Sequence, residues 1–294
     1  MAANTLPRSR SAGRARAGAL AYNRQGITPR IGRFVIFLLY GIPLAWVVAT
    51  SFKPESTILK DPSGLMFTPT LEQYRGVVGQ VWPAMLNSLQ IGIGTTVLTL
   101  LVAVPAAYGM ARRRTKWWTR VVGITLGLMI ILQMVPQAMT IMPLYSILAQ
   151  WHLTNTILGI VLATSALVMP FAILLIRPFF LTIPPELEEA ATMDGASVWS
   201  AFRRVVMPLA RNGIVTVGIM VFMQSWGELL YGTTFLSKPD AYPVGALLAL
   251  QTTLYGTEWG HLMALGVLIT LPILVLFIFS QRRLMQGMLS GAVK

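Results

Sequence analysis

The stretch PPELEEAATMDGASVWSAFRRVVMPL, Pro184 to Leu209, decides how the chain is organised, because it places four acids within nine residues of a basic and very hydrophobic protein. The 294 residues include 10 acids against 23 basic residues. Pro184-Pro185 predicts the start of a helix, and acids in its first turn complement the positive end of the helix dipole. Gly195 predicts a bend. Ser197 predicts the N-cap of a second helix, which we expect to end at Pro208.

Composition identifies the class of protein. Hydrophobic residues make up 55% of the chain and charged residues 11%, which is too few charges for a water-soluble globule. The basic residues lie between long apolar runs and not on one soluble face, so we expect no nucleic acid partner. The absence of cysteine excludes disulfides and thiolate ligands, and the two isolated histidines, His152 and His261, predict no metal site.

The apolar runs predict an all-α membrane protein. A bilayer core of about 30 Å needs roughly 20 apolar helical residues for each crossing. Six runs meet this requirement, and they extend from Phe34 to Phe52, Leu86 to Met110, Val121 to Tyr145, Thr156 to Ile176, Gly213 to Phe235 and Leu262 to Ser280.

The distribution of Lys and Arg predicts the topology. Basic residues concentrate in the N-terminal tail, in ARRRTKWWTR (111–120), in the segment after the fourth span and at the C terminus. We therefore place both termini and the opening stretch in the cytoplasm of a multi-pass cell-membrane protein. Residues 1–32 are predicted to be a disordered Arg-rich tail, and 33–294 a transmembrane domain whose cytoplasmic loop spans 178–211. The basic residues predicted on the outer side are Lys53, Lys60, Arg75 and Lys238.

The acidic stretch has two interpretations. A helix pair lying on the lipid surface would explain a helix, a bend and a second helix. Interfacial helices are usually rich in Lys and Arg, however, and anionic lipid repels acids. A basic protein partner therefore suits the acids of the first helix better.

The segment EAATMDGASVWSAFRRVVMPLA (189–210) resembles the EAA loop of ABC importer permeases, whose pattern is E-A-A, two residues, D-G-A, then an aromatic residue and a proline. The resemblance implies that this loop couples the permease to an ATPase. The residues to which it assigns this role are Glu188, Glu189, Ala190, Ala191, Asp194, Gly195, Ala196, Phe202 and Pro208.

Three further segments are similar to carbohydrate permeases of this type. NSLQIGIGTTVLTLLVAVPAAYGMAR (87–112) resembles their second span, FMQSWGELL (222–230) resembles their F-x-x-x-W-N-E-F segment, and QRRLMQGMLSGAVK (281–294) resembles the ending of the maltose-type second permease. The chain departs from the pattern at Gly227, where Asn is usual, and at Asn212, where Pro is common.

The resemblance implies the partners and the mechanism. A heterodimer with a second, homologous permease would sit on two ATPase subunits and receive a di- or oligosaccharide, or a sugar derivative, from an extracytoplasmic binding protein. The chain has no G-x-x-x-x-G-K-[ST] loop, so ATP and Mg²⁺ would be bound by the ATPase partners and this chain would not be an enzyme. ATPase closure would drive alternating access through a rigid coupling loop, with Glu189 the main charge partner.

Polar residues within the spans are candidates for the sugar pathway. Gln224, Glu228 and Tyr231 are predicted to share a helical face, and Gln133 and Gln137 to lie one turn apart beside Pro136. For Glu228 we favour a structural role, in which it bonds to neighbouring helices. In the last outer loop, the aromatic residues serve either as membrane anchors or as contacts for the binding protein. The candidates for that contact are Tyr242, Gln251 and Tyr255.

Two other functional classes remain open from sequence. Among ABC permeases, one for an amino acid, phosphate or another solute that is not a sugar is the nearest alternative, and the G-A-V-K ending argues against it. A stand-alone secondary transporter would need no ATPase-docking helix.

Overall fold

The computed structural model describes the backbone of residues 27–112, 115–253 and 256–292, and the side chains of 31–112, 115–253 and 256–281. The helices are α1 (Ile27–Ser51), α2 (Glu55–Lys60), α3 (Glu72–Arg112), α4 (Lys116–Gln133), α5 (Gln137–Gln150), α6 (Ile157–Leu181), α7 (Glu186–Met193), α8 (Val198–Ala201), α9 (Met207–Trp226), α10 (Leu230–Phe235), α11 (Val244–Ala249) and α12 (Trp259–Ala292). A π-helical turn (Phe202–Val206), a 3₁₀ turn (Pro239–Ala241) and the antiparallel strands β1 (Thr252–Thr253) and β2 (Gly256–Thr257) complete the fold.

Two compact units divide the chain, one up to Thr50 and one from Ser51 onward. The first contains nearly all of α1. Residues 1–26 of the predicted tail lie outside the described residues, and α1 begins at Ile27, inside the range predicted as disordered.

The described residues contain five or six candidate membrane crossings. Among the described residues, five helical runs are long and apolar enough to cross a bilayer, and a sixth crossing results if the bent pair of α4 and α5 counts as one. The longest helix, α3, has 41 residues, so it is about 60 Å long and extends well beyond a bilayer core. It is longer than the run from Leu86 to Met110 that hydropathy selected.

The core of the second unit lies between α3, α6 and α9. Ala107, Ile176 and Val217 are fully buried there. Small residues let these helices approach closely, as is typical in membranes. A Cβ on Gly213 of α9 would lie 2.3 Å from the Phe179 ring of α6, so glycine is required at this crossing.

The predicted third span is not one straight helix. The axes of α4 and α5 differ by 101° across a short break. Pro136 is the N-cap of α5, and proline has no N–H to donate and disfavours helical geometry in the residue before it. Gln133 and Gln137 are therefore on two helices, and the prediction that they lie one turn apart was wrong.

The predicted fifth span, Gly213 to Phe235, has different limits. Its helix ends at Trp226, and the separate helix α10 begins at Leu230. At its other end the helical run extends back to Val198, because Pro208 does not end it. The π-helical turn, in which the Met207 N–H donates to the Phe202 carbonyl, ends two residues before Pro208 and accommodates a residue that cannot make the regular bond.

Candidate functional site

The acidic helix α7 begins where the sequence predicted. The N–H groups of Glu188 and Glu189 donate to the Pro185 carbonyl, at 3.0 and 3.1 Å, and close its first turn. None of the eight side chains that the structure describes in α7 is buried. Apolar packing therefore does not hold this helix against the rest of the protein.

The end of α7 explains the spacing of the E-A-A and D-G-A residues. The Ala196 N–H donates to the Ala191 carbonyl and the Gly195 N–H to the Thr192 carbonyl, both at 3.0 Å. This pair of bonds is a Schellman motif, with Gly195 at the left-handed position, φ +86°. The predicted bend at Gly195 is confirmed, and its geometry requires a residue that tolerates positive φ.

The second helix starts immediately after the bend. The Ser197 Oγ accepts a hydrogen bond from the Ser200 N–H, which confirms the predicted N-cap. Phe202 is buried, and its ring lies 4.5 Å from that of Tyr108 on α3. Trp199 lies 5.4 Å from the Phe202 ring but is 65% exposed. Phe202 thus anchors the helix pair to the bundle, whereas Trp199 is on its surface.

A polar cluster attaches α7 to the end of α3. Glu188 forms an ion pair with Arg112, and its Oε2 accepts a 2.6 Å hydrogen bond from the Tyr108 hydroxyl. Arg112 also donates, through an Nη, to the Ile183 carbonyl at 2.9 Å. Glu189, by contrast, is exposed. Tyr108 and Arg112 were not identified from the sequence, although their four-residue spacing next to the basic loop places both on one helical face.

The remaining proposed coupling residues lie on the surface of the same loop. Ala190, Asp194 and Gly195 are exposed, and Ala191 and Ala196 are half-buried. Pro208, also exposed, lies beyond the π-helical turn.

A second polar cluster lies at the break after α9. Glu228 is 6% exposed and follows the C-cap Gly227. Its Oε1 accepts the Tyr231 N–H at 2.9 Å, and both of its oxygens lie 3.2 Å from Nε2 of Gln137. The predicted bonds between Glu228 and a neighbouring helix are present.

Tyr231 extends this cluster to α5. Its side chain is fully buried, and its hydroxyl lies 2.6 Å from that of Thr140. Gln224 is exposed on α9, before the break. Gln224, Glu228 and Tyr231 therefore do not share one helical face, because the chain leaves the helix between the first residue and the other two. Thr140 was not identified from the sequence.

A groove of about 390 Å³ lies between α4, α5 and α6. Its polar members include Gln133, Thr140 and Tyr231, and apolar side chains and prolines form most of its wall. Nε2 of Gln133 donates to the Leu167 carbonyl at 3.0 Å. The sequence-predicted residue Gln133 thus borders this groove, whereas Tyr231 is fully buried in its wall, with Gln137 and Glu228 bonded next to it.

The Asn-Ser pair that opens the second-span segment has a visible role. Ser88 Oγ donates to the Trp226 carbonyl at 2.8 Å and accepts the Val244 N–H at 3.0 Å. Asn87 Nδ2 donates to the Asp240 carbonyl at 2.8 Å. These bonds attach both the end of α9 and the following loop to α3.

The loop after α10 borders a second cleft, of about 380 Å³. Tyr242 and Gln251 both line it, together with Asp240, Glu258 and His261. The Gln251 side chain is 9% exposed and donates to the Leu247 carbonyl, so most of its surface is unavailable to a partner. Tyr255 lies outside the described residues.

The described part of the chain contains no group of three His, Asp or Glu residues arranged to hold a metal ion. Each of the two polar clusters bonds one part of this chain to another.

Comparison with known proteins places this architecture among transport components. The family model described as binding-protein-dependent transport system inner membrane component matches residues 103–290. A trehalose transport system permease protein of Mycobacterium tuberculosis is 35% identical over 257 residues, which cover 86% of this chain and 92% of that protein. A diacetylchitobiose uptake system permease protein of Streptomyces coelicolor is 30% identical, over 91% and 97% of the two chains.

Solved structures share the fold. A chain of a bacterial ABC transporter involved in the import of the acidic polysaccharide alginate superimposes with a TM-score of 0.73 at 18% identity, over 95% of this chain and 99% of that one. A chain of the MetNI methionine ABC transporter, in an inward-facing conformation, gives a TM-score of 0.59 at 15% identity, over 72% and 98%.

Proposed function

The chain belongs to the family of inner membrane components of binding-protein-dependent transport systems, and from this premise we propose that it is a permease subunit of an ATP-driven importer of carbohydrates. The observation that carries the coupling part of the proposal is α7, a surface helix with three acids in its first turn and no buried side chain among those described. Such a helix is suited to insertion into a cleft on another protein.

The sugar substrate is inferred from the relatives. The transport proteins named for trehalose, diacetylchitobiose and arabinooligosaccharides are 29–35% identical to this chain, and each alignment covers 86% or more of it. All three names describe glycosides of two or more units. We therefore infer a di- or oligosaccharide, or a derivative of one, as the substrate.

The proposed topology has six crossings and cytoplasmic termini. The Glu188–Arg112 ion pair brings the basic loop after α3 and the acidic loop after α6 to the same end of the bundle. The carboxylate of Glu55 accepts the backbone N–H groups of Trp259 and Gly260, which joins two loops predicted for the outer side. The positive-inside rule then assigns the first end to the cytoplasm.

The proposed partners are inferred from the absence of a phosphate-binding loop in the sequence and from the exposed acids of the docking loop. ATP and Mg²⁺ are bound by two ATPase subunits, since this sequence contains no phosphate-binding loop. Glu189 and Asp194 are exposed on the docking side and meet basic residues of one ATPase. A second permease completes the pathway, and an extracytoplasmic binding protein delivers the sugar near Tyr242 and the strands β1 and β2.

The proposed mechanism is alternating access. ATPase closure displaces α7, and the Schellman bend together with the buried Phe202 transmits this displacement to the bundle. The groove bordered by Gln133 is the part of the sugar pathway contributed by this chain, and the buried Tyr231 supports its wall through Thr140. Gln137 and Glu228 hold the walls of the pathway in place, and Gln224 is a further candidate on α9.

Purification from native membranes tests the proposal. The expected preparation contains a second permease, an ATPase and a binding protein, and the ligand released from the binding protein by denaturation is a glycoside detectable by mass spectrometry. A binding protein loaded with an amino acid or an inorganic anion would refute the carbohydrate assignment. ATP-independent uptake by vesicles containing this chain alone would refute the importer assignment.

A further inference from the structure

Glu188 faces a different environment from the other acids of α7. Its side chain is 15% exposed and is bonded to Arg112 and Tyr108, whereas Glu186 and Glu189 are exposed. A carboxylate that is already paired within its own chain is a poor candidate for direct contact with a second protein, because docking would first have to break that pair.

The inner end of α3 contacts the chain on both sides of the Gly195 bend. Before the bend, Arg112 binds Glu188 and the Ile183 carbonyl. After the bend, the Tyr108 ring packs on Phe202 at a centroid distance of 4.5 Å. One turn of α3 therefore holds both arms of the helix pair.

We propose that Tyr108, Arg112 and Glu188 form a clasp that makes α7 and α3 move as one body, so that Glu188 is a positioning residue and not a contact of the ATPase. The effect of the clasp on transport rests on the proposed function. The clasp itself involves only residues of this chain and does not depend on that function. Because no described side chain of α7 is buried, polar bonds must supply the rigidity that apolar packing supplies elsewhere.

The helix held by the clasp also holds the opposite side of the protein. Ser88 and Asn87, which bind the Trp226 carbonyl and the loop containing Asp240, lie on the same helix as Arg112. Twenty residues separate Ser88 from Tyr108, a distance of about 30 Å along a helix. A displacement of α7 is therefore transmitted along α3, over about one bilayer thickness, to the loop that is proposed to contact the binding protein.

Spin labels test the clasp without any partner protein. The chain has no native cysteine, and Gly109→Cys on α3 and Thr192→Cys on α7 introduce two labelling sites. Gly109 has no atom within 4 Å of its Cβ position, and Thr192 is exposed. We expect a narrow distance distribution in the parent protein and in an Arg120→Gln control, and a broad one in Arg112→Gln. An unchanged distribution in Arg112→Gln overturns the clasp.

Transport by the full complex provides the second test. Glu188→Gln and Tyr108→Phe keep side-chain shape, so loss of folding is not expected. Both should retain ATPase co-purification and lower the sugar transported per ATP roughly fivefold or more, which is the usual lower range of coupling between sites. Tyr145→Phe, on α5 and outside the clasp, should leave this ratio unchanged.

The outcomes separate the two proposals. If the parent complex shows no ATP-driven sugar uptake, the proposed function fails, whatever the spin labels report. If the parent transports sugar and Glu188→Gln has the same ratio, the clasp is wrong. If Glu188→Gln loses the ATPase while Tyr108→Phe retains it, Glu188 is a direct docking residue and the clasp is wrong.

Discussion

Substitutions at Gly195 separate two possible requirements at the bend. One is a backbone that adopts a positive φ, and the other is a surface that a second protein can approach closely. Gly195 has a φ of +86°, and no atom lies within 4 Å of the position that a Cβ would occupy. Alanine therefore meets no steric obstacle inside this chain, and its cost arises from the left-handed conformation alone. That cost is about 1–2 kcal/mol for an ordinary L-residue. A free energy of this size changes the ratio of bent to unbent forms by roughly 5- to 30-fold.

Asparagine and aspartate complete the series. Both tolerate the left-handed region better than alanine because their short polar side chains bond locally. They have nearly the same shape, so any difference between them reports the added charge. We expect Gly195→Asn to retain more coupling than Gly195→Ala, and Gly195→Asp to uncouple transport while the complex still assembles, since it adds an acid to the docking surface.

The assay measures ATP-driven sugar uptake and ATP hydrolysis by the reconstituted complex, with assembly checked by co-purification. Equal uptake by the glycine and alanine proteins would refute the argument from φ. If asparagine is as damaging as aspartate and worse than alanine, close approach of another surface governs the site, and backbone conformation does not. Uptake by Gly195→Asp at the parental level would contradict the coupling assignment.

Three further predictions concern topology and the polar clusters. A cysteine at Thr115 should resist an impermeant thiol reagent applied to intact cells, whereas one at Thr253 should react; the reverse pattern would invert the topology. Glu228→Ala should destabilise the purified protein by about 1–3 kcal/mol, because the Tyr231 N–H and the Gln137 amide lose their acceptor, and an unchanged melting temperature would refute this. Ser88→Ala removes two hydrogen bonds at the Trp226 carbonyl and the Val244 N–H, so limited proteolysis of the loop after α10 should become faster, and an unchanged rate would show that the loop is held elsewhere.

The local structure of the coupling loop was predicted correctly from neighbouring residues. Two prolines, a glycine and a serine each act within a few residues of themselves, so the start of α7, the bend at Gly195 and the cap at Ser197 were all predictable. Pro208 was misread because a π-helical turn, which is not apparent from the sequence, let the helix continue. Pro136 was present in the sequence as a signal for the break in the third span, although hydropathy predicted one continuous run from Val121 to Tyr145.

Long-range contacts explain most of what the sequence did not reveal. Tyr108 and Glu188 are 80 residues apart, and Gln137 and Glu228 are 91 residues apart. The residue periodicity of a single helix contains no information about contacts between residues so far apart in the sequence. The break after Trp226 has the same origin: the Glu228 carboxylate accepts the Tyr231 N–H of α10 and bonds to Gln137, and only the folded chain brings Gln137 to it.

The central claim is tested most directly by substituting Glu189 and measuring ATP-driven sugar uptake by vesicles that contain the complete complex. Glu189 is exposed on α7, and Glu189→Gln keeps its shape and helix propensity while removing the charge. The account predicts a modest loss for Glu189→Gln and loss of both ATPase co-purification and uptake for Glu189→Lys, because like charges at a partly desolvated interface cost several kcal/mol. An acidic substitution at the facing basic residue of the ATPase should restore part of the uptake. Unchanged uptake and co-purification in Glu189→Lys would contradict the claim that α7 docks on the ATPase.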